Sequence, residues 1–179
     1  MTLIRHANPV RDAAACAAVY EPYVTESVIS FEQTPPDAHE FGLRIERITR
    51  THPWLVAELD GDTVGFAYGS PHRERAAYRW AADVSVYLAA RAQRRGIGRA
   101  LYERLFELLE RQGIRTLCAG ITLPNEASVR LHESLGFAAV GIYRNIGFKH
   151  GAWHDVGWWQ HQLLPPALPP PEPASPDRE

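Results

Sequence analysis

One short segment of the chain constrains its fold more than any other. Residues 79–89, RWAADVSVYLA, alternate between two faces as a β-strand does. They lead into residues 93–101, QRRGIGRAL, where two glycines and three arginines open an amphipathic helix. A helix start exposes unpaired amides and the positive end of the helix dipole, and glycines let a ligand approach the backbone closely. The segment therefore predicts a strand, a turn and a helix that together bind a phosphate-bearing ligand.

The glycine spacing excludes two familiar nucleotide motifs. A Walker loop requires Gly-Lys-Ser/Thr after a four-residue spacer, and that tripeptide is absent from this segment. A dinucleotide-binding fingerprint requires a third glycine three residues after Gly98, where the chain has Leu101. Taken alone, the segment is also compatible with plain turn chemistry and solvated arginines. Its ligand therefore has to be identified from other parts of the chain.

The remaining hydrophobic patterns predict a mixed α/β domain. Helical spacing covers residues 12–23, 37–49, 97–112 and 126–135. Strand-like patterns cover residues 3–7, 54–59, 63–69, 79–89, 116–123, 138–145 and 153–163. Asp37 is suited to cap the second helix and Gly113 to end the third. The predicted order is β-α-α-β-β-β-α-β-α-β-β, an α/β fold with a central mixed sheet and helices on both of its faces.

The composition changes abruptly after Leu163. Residues 164–179 contain seven of the 14 prolines, which remove amide donors and fix φ. The sequence therefore predicts one domain over residues 1–163 and a flexible, solvated proline-rich tail over residues 164–179. A ligand for a proline-recognition partner is the alternative for the tail.

Charge and hydropathy narrow the function classes. The chain has 19 basic and 21 acidic residues and a net charge of −2, so it lacks the basic footprint of a nucleic-acid binder. No run approaches the roughly 18 apolar residues of a membrane span, and MTLIRHANPV lacks the apolar stretch of a signal peptide. Cys16 and Cys118 lie in apolar surroundings and are expected to be reduced thiols. We therefore expect a soluble cytoplasmic protein with neither nucleic acid nor membrane as a partner.

The glycine turn is matched by a second segment downstream. Residues 125–137, NEASVRLHESLGF, follow it in the order and at the distance found in GNAT acetyltransferases, which residues 2–163 resemble. HPWLVAELDGDTVGFAYGSPHRERAAYRW and GFKHGAWHDVGWWQ are similar to phosphinothricin N-acetyltransferases and their relatives that acetylate methionine sulfoximine. The resemblance implies a GNAT fold with a splayed central strand in a mostly antiparallel sheet. It also implies acetyl-CoA as donor, the α-amino group of a small amino acid analogue as acceptor, and a homodimer.

The resemblance assigns the donor to the glycine turn and the strand before it. The pyrophosphate is expected on the amides of six consecutive residues, namely Arg94, Arg95, Gly96, Ile97, Gly98 and Arg99. The pantetheine arm is expected to pair like an added strand with Val86, Tyr87 and Leu88, where one amide also polarises the thioester. Asn125 has two compatible roles, as the N-cap of the short helix and as a cofactor contact, and Ser128 reaches the same region.

The reaction needs a base, because an α-amino group is largely protonated at pH 7. Asp83 is the candidate, since it is the lone acid of its strand and its apolar flanks favour a raised pKa. The family usually places glutamate at this position, and the shorter side chain sets the carboxylate back by about 1.5 Å. A relaying water or a shifted substrate would bridge that difference. A purely structural acid is the alternative.

Histidines raise two further questions. His132 stands where many GNAT enzymes have tyrosine, and the phosphinothricin group shares the histidine. Either it transfers a proton at the leaving thiolate or the amine, or it is a helix-face histidine that bonds a backbone carbonyl. His150 and His154 are four residues apart, but Gly151 interrupts the segment and no third ligand is indicated. We therefore expect no metal.

Acceptor selection is assigned by the resemblance to two loops, SFEQ and HRERAAY. Phe31 is expected to shape the pocket, while Arg75 and Tyr78 hold the carboxylate or acidic head of the substrate. An arginine fork matches a carboxylate bidentately. A solvated loop charge is the alternative role for Arg75.

The sequence as a whole predicts a direct amine acetyltransferase. Both substrates are expected to bind together, with Asp83 accepting the proton before the amine attacks the thioester. No covalent enzyme intermediate is expected, because neither cysteine has an identifiable activating base in the sequence. The resemblance also implies a role in resistance to herbicide-like or antibiotic-like amino acid analogues. Two alternatives stay open: a peptide N-terminus or polyamine as acceptor, and a non-catalytic acetyl-CoA sensor.

Overall fold

A computed structural model describes residues 2–176, and it confirms the predicted order of elements. The helices are α1 (Ala13–Thr25), α2 (Ala38–Thr49), α3 (Ile97–Gln112) and α4 (Glu126–Ser134). The strands are β1 (Thr2–His6), β2 (Trp54–Leu59), β3 (Asp62–Pro71), β4 (Ala81–Leu88), β5 (Thr116–Leu123), β6 (Ala138–Lys149) and β7 (Ala152–Gln162). Short 3-10 turns at Ala76–Tyr78 and Ala90–Ala92 flank β4.

The seven strands form one mixed sheet in the order β1-β2-β3-β4-β5-β7-β6. All neighbouring pairs are antiparallel except β4 and β5, which are parallel. The hairpin turn between β2 and β3 has positive φ at Asp60 and Gly61, as a tight two-residue connection requires. The predicted mixed α/β architecture is therefore confirmed.

Two apolar layers cover the two faces of the sheet. On one face, Ala82 and Val84 of β4 pack into a core with the apolar side of α3, including Leu105. On the other face, Tyr87 packs against a core built from α1, α2 and the inner strands, including Ile45. The alternation predicted for β4 is thus confirmed, and it sends Asp83 to the same face as Tyr87.

The parallel pair β4–β5 separates after a short contact. Only Ala81, Ala82 and Asp83 pair with β5, opposite residues 116–118. Beyond that point β5 continues along β7 as far as Leu123, while β4 stays with β3. A wedge therefore opens between the two central strands, with Asp83 at its apex, as the resemblance to the GNAT fold implied.

The proline-rich tail has neither helix nor strand over residues 164–176, yet it runs along the domain surface. The indole Nε1 of Trp80 donates to the carbonyl of Pro171 at 2.7 Å, and Arg79 pairs with Glu172. The amide of Ala174 donates to the carbonyl of Gln112 at 2.8 Å, and Arg115 bonds the Pro165 carbonyl. Parts of the tail thus bond to the domain surface, while most residues of 164–176 remain exposed. The flexible, solvated tail stays a prediction, and residues 177–179 lie outside the described residues.

Each helix within the described residues is too short or too polar to cross a bilayer.

Candidate active site

The glycine turn leaves the start of α3 open. Gly96 occupies the N-cap position with a φ of +77°, a left-handed conformation that favours glycine, and no described side chain caps this helix. The first amide bonded within the helix is that of Ala100, at 3.0 Å from the carbonyl of Gly96. The amides of residues 97–99 therefore precede the hydrogen-bond ladder of α3, which is the arrangement that binds phosphate oxygens.

The arginines of this turn differ in their surroundings. Arg94 has a positive φ of +59° and is exposed, as is Arg95. Arg99 donates to the Ser134 hydroxyl at 2.7 Å, which ties α3 to the end of α4. Gly98 is buried, and a Cβ there would lie 3.3 Å from a Leu88 methyl group. Close packing against β4 therefore favours glycine at position 98.

Backbone groups of β4 face the wedge at alternate residues. The amide of Ala89 bonds Val64 of β3 at 2.8 Å, so that of Tyr87, two residues earlier, also faces β3. Val86 and Leu88 then face the wedge. At Leu88 both groups are engaged by the Tyr23 hydroxyl, which donates to the carbonyl at 2.6 Å and accepts from the amide at 3.2 Å. Of the three residues predicted to pair with pantetheine, Val86 has backbone groups directed into the wedge without such a contact.

The start of α4, in contrast to that of α3, is closed by its own side chain. Asn125 Oδ1 accepts from the amide of Ser128 at 3.1 Å, so the capping role of Asn125 is confirmed. The predicted cofactor contacts of Asn125 and Ser128 stay predictions.

His132 is held on both sides of its ring. It is 3% exposed, with Nδ1 at 2.8 Å from the Ser128 carbonyl and Nε2 at 3.1 Å from the Tyr102 hydroxyl. A carbonyl only accepts, so Nδ1 donates and Nε2 accepts from Tyr102. Burial lowers the pKa of His132 and keeps the ring neutral. This geometry matches the second of the two predicted roles, a helix-face histidine bonded to a carbonyl.

Asp83 has a partner that the sequence analysis missed. Its Oδ1 lies 2.6 Å from Nδ1 of His72, and its side chain is 28% exposed. Burial raises the pKa of Asp83, and the hydrogen bond from His72 opposes that rise. The signal was present in the β2–β3–β4 meander: Ser70 pairs with Asp83, so the residue two positions after Ser70 falls on the same face beside it.

Cys118 completes a cluster of ligand-type side chains. Ligand atoms of His72, Asp83 and Cys118 lie within 4.8 Å of one another, and such a set could hold a divalent ion. The 2.6 Å contact between His72 and Asp83 is nevertheless a hydrogen bond, because two ligands at about 2 Å from a tetrahedral ion lie about 3.3 Å apart. Burial, and then the Asp83 charge, raise the pKa of Cys118 to about 11. The thiol therefore stays protonated at neutral pH and is a weak nucleophile.

Of the predicted acceptor residues, Tyr78 lies beside the hydrogen-bonded pair of His72 and Asp83. Its ring centroid is 5.8 Å from that of His72. Trp158 of β7 also approaches His72, with its ring centroid 6.0 Å from that of the imidazole. Arg75 is exposed at the start of the adjacent 3-10 turn, where its carbonyl accepts from the Tyr78 amide at 2.9 Å. The loop after β3 thus brings Tyr78 to His72, whereas Arg75 points to no described partner near Asp83 and its predicted role stays a prediction.

Phe31 lies in a different place, on the hairpin tip between β6 and β7. Its ring packs against Gly147, where a Cβ would clash with it, and lies 6.3 Å from the His154 ring between centroids. The loop before Phe31 is anchored by buried Lys149, whose Nζ donates to the carbonyls of Val24 and Ser30 at 2.6 Å each. Burial lowers the pKa of Lys149. A lysine from β6 therefore positions a loop that follows α1.

Known proteins share this architecture. Residues 4–158 match the acetyltransferase (GNAT) domain family. The chain is 43% identical over 173 residues to a phosphinothricin N-acetyltransferase of Streptomyces viridochromogenes, covering 97% of this chain and 93% of that protein. It is 33% identical to an L-methionine sulfoximine/L-methionine sulfone acetyltransferase of Salmonella typhimurium, covering 88% and 95%.

A solved structure also superimposes closely. It is a GNAT superfamily phosphinothricin acetyltransferase from Sinorhizobium meliloti in complex with acetyl-CoA, with a TM-score of 0.87 and 35% identity over 90% of this chain and 88% of that one.

Proposed function

This chain belongs to the GNAT acetyltransferase family and is an acetyl-CoA-dependent N-acetyltransferase, and we propose that its acceptor is the α-amino group of a small amino acid analogue of the phosphinothricin or methionine sulfoximine type. The observation that carries this proposal is the meeting of a donor wedge and a half-buried carboxylate, Asp83, at one point of the sheet. The relatives named above favour this acceptor class over the peptide, polyamine and sensor alternatives.

The donor fits the residues that line the wedge. The free amides at the start of α3 would hold the pyrophosphate, assisted by the exposed charges of Arg94 and Arg95. The backbone of Val86 would pair with the pantetheine arm and donate to the thioester oxygen. Bound acetyl-CoA supplies an activated acetyl group whose leaving group is a thiolate.

Asp83 supports proton removal at the apex of the wedge. It would accept a proton from the substrate ammonium, directly or through a water, and so free the amine lone pair for attack. Its raised pKa brings the carboxylate closer to the basicity that this transfer needs. Amine attack on a thioester needs no Lewis acid, and we expect chelators to leave turnover unchanged.

The acceptor loop supports recognition of an acidic substrate. Arg75 and Tyr78 stand at the two ends of one exposed turn, and Tyr78 contacts His72. A guanidinium there can bind a carboxylate, and a phenol can donate to it. Phe31 would close the pocket from the β6–β7 hairpin tip.

We also propose that two copies associate through β6. This strand is one of the two edges of the sheet. The hairpin exposes a series of large apolar side chains: Val140, Ile142, Tyr143, Ile146, Phe148 and Trp153. Exposed apolar edges of this size are typical of interfaces. Light scattering should give twice the chain mass for the wild type and the chain mass for Ile142→Asp; a monomeric wild type at micromolar concentration would contradict it.

The proposed role places the enzyme in the cytoplasm, where acetyl-CoA is available, and gives it the task of neutralising toxic amino acid analogues. A coenzyme A release assay should compare methionine sulfone, methionine sulfoximine, phosphinothricin and ordinary amino acids, with mass spectrometry of the N-acetyl product. We expect turnover on at least one analogue. Acetylation of peptides in the absence of any turnover on these analogues would refute the proposed acceptor class.

A further inference from the structure

The hydrogen bond between His72 and Asp83 defines the protonation of the imidazole. An ionised carboxylate only accepts, so Nδ1 of His72 carries the hydrogen in the 2.6 Å contact. The neutral ring then has its lone pair on Nε2. Asp83 therefore selects the tautomer in which the far side of the ring is the basic side.

The surroundings of the ring leave that nitrogen available. Within residues 2–176 no group forms a hydrogen bond with Nε2 of His72, and this atom is not among the buried polar atoms that lack a partner. The side chain is 17% exposed. Tyr78 and Trp158 meet the ring edge-to-face, at interplanar angles of 65° and 82°. The imidazole is thus held in orientation on an accessible site.

We propose that in this chain His72 Nε2 accepts the proton of the substrate amine, with Asp83 as the residue that positions and supports the ring. The inference rests on the proposed function and deepens it: the ring of His72 takes the proton in place of direct or water-mediated transfer to Asp83. It also explains how the shorter aspartate can serve at this position, because the imidazole carries the accepting lone pair outward from the carboxylate.

The proton and bond changes balance without another reactant. Nε2 takes one proton from the ammonium and becomes part of an imidazolium that the Asp83 carboxylate stabilises. The amine nitrogen then forms a bond to the acetyl carbon, and the carbon–sulfur bond breaks. The second proton lost by that nitrogen ends on the coenzyme A sulfur, and the imidazolium returns its proton to solvent.

The charged and titratable groups around the pair are compatible with this role. Arg73 lies near Asp83 and acts to lower its pKa, with its guanidinium carbon 6.0 Å from the Trp158 ring. Cys118 is a neutral thiol and Tyr78 a phenol. The Asp83 carboxylate therefore supplies the negative charge in contact with the imidazole.

Two variants at this pair test the assignment. His72→Gln keeps an amide donor toward Asp83 but has no basic nitrogen, and we expect kcat/KM on methionine sulfone to fall about 10² to 10⁴-fold with unchanged acetyl-CoA affinity by calorimetry. His39→Gln, on the exposed side of α2, is the matched control and should match the wild type. Adding Asp83→Glu to His72→Gln should recover at least tenfold, because the longer carboxylate reaches toward the amine itself. A His72→Gln enzyme within threefold of wild-type kcat/KM would overturn the proposal.

A measurement without turnover separates this proposal from the proposed function. In 15N-edited spectra, the neutral form of His72 should show a protonated Nδ1 and a bare Nε2. His154 is the internal control with the opposite tautomer, since its Nε2 donates to the Lys149 carbonyl at 3.0 Å. A protonated Nε2 on neutral His72 would overturn the proposal even in an active enzyme. Failure to acetylate any amino acid analogue would instead refute the proposed function and leave the tautomer as the deciding result.

Discussion

The candidate site has a donor half made of backbone groups and an acceptor half made of side chains. The proposed donor half consists of backbone groups: the free amides of α3 and the wedge-facing groups of Val86. The proposed acceptor half consists of side chains from two loops, with His72 and Tyr78 after β3 and Phe31 after α1. A backbone site leaves a local signature in glycines and strand alternation. A side-chain site depends on which distant segments meet, so no single segment of the sequence reveals it.

Asp83→Asn should have the largest effect, and it should impair the acceptor half while leaving the donor half unchanged. We expect kcat/KM to fall about 10² to 10⁴-fold because the negative charge that takes or supports the proton is lost. Acetyl-CoA affinity should stay the same, since the donor half is backbone. Steady-state kinetics and calorimetry measure the two effects.

Stability gives Asp83→Asn an independent control. The pKa of Asp83 is raised in the folded state above its ordinary value of 3.8, so the folded protein binds this proton more tightly than the unfolded chain. The free energy of unfolding therefore falls as the pH rises from 3.8 through the raised pKa of the folded state. The ionised carboxylate of Asp83 thus destabilises the fold at pH 7. The neutral Asn should not lower the Tm at pH 7. A large drop in Tm, or an equal loss of activity in exposed Asp62→Asn, would contradict this account.

Gly96→Ala should impair the donor half by weakening acetyl-CoA binding at the turn before α3. At a φ of +77° an alanine costs about 1–2 kcal/mol, and relaxation of the turn would move the amides at the start of α3. We expect the acetyl-CoA Kd to rise about tenfold, with little change in kcat at saturation. Gly61→Ala is the matched control, because its φ is +91° and its Cβ would also meet open space. Equal Kd values for both variants would show that the turn does not bind the donor.

His132 tests whether a histidine on the donor side serves stability alone. His132→Gln should cost about 1–3 kcal/mol of unfolding free energy through its buried hydrogen bonds, with kcat nearly unchanged. The pKa of His132 is lowered from 6.5 in the folded state, so the unfolded chain binds more protons below that pH. Wild-type stability should therefore fall as the pH drops below 6.5, and the variant should lose part of this slope. Denaturant titrations at several pH values measure it, and a hundredfold loss of kcat in a folded variant would restore the catalytic role.

Deletion of residues 165–179 should have the smallest effect. The contacts of Pro171 and Ala174 lie at Trp80 and Gln112, on the outer side of the domain. We expect a Tm lower by a few degrees, since each hydrogen bond contributes about 1 kcal/mol, and an unchanged kcat. A lower kcat at an unchanged Tm would show that the tail affects the candidate active site.

The fold was predictable where the signal is local. The alternation of β4, the cap at Asp37 and the left-handed glycine at Gly113 each follow from a few neighbouring residues, and the structure confirms them. His72 was not found, because it becomes visible only through the register of β3 against β4. The contact between Tyr23 and Leu88 joins positions 65 residues apart and has no local signal. The docking of the tail was missed because composition describes backbone preference and not the partners that a fold offers.

Lys149 has a consequence for altering acceptor preference. Its ammonium group donates to the Val24 carbonyl in the last turn of α1 and to the Ser30 carbonyl just before Phe31. Thr122 adds a bond to the Ile29 carbonyl at 3.3 Å. These bonds join the loop to the hairpin and to β5. Variant libraries at residues 31–33 that retain Lys149 would change the pocket side chains while the loop backbone stays bonded to β6. Loss of Lys149 would remove the bonds that hold this loop in place.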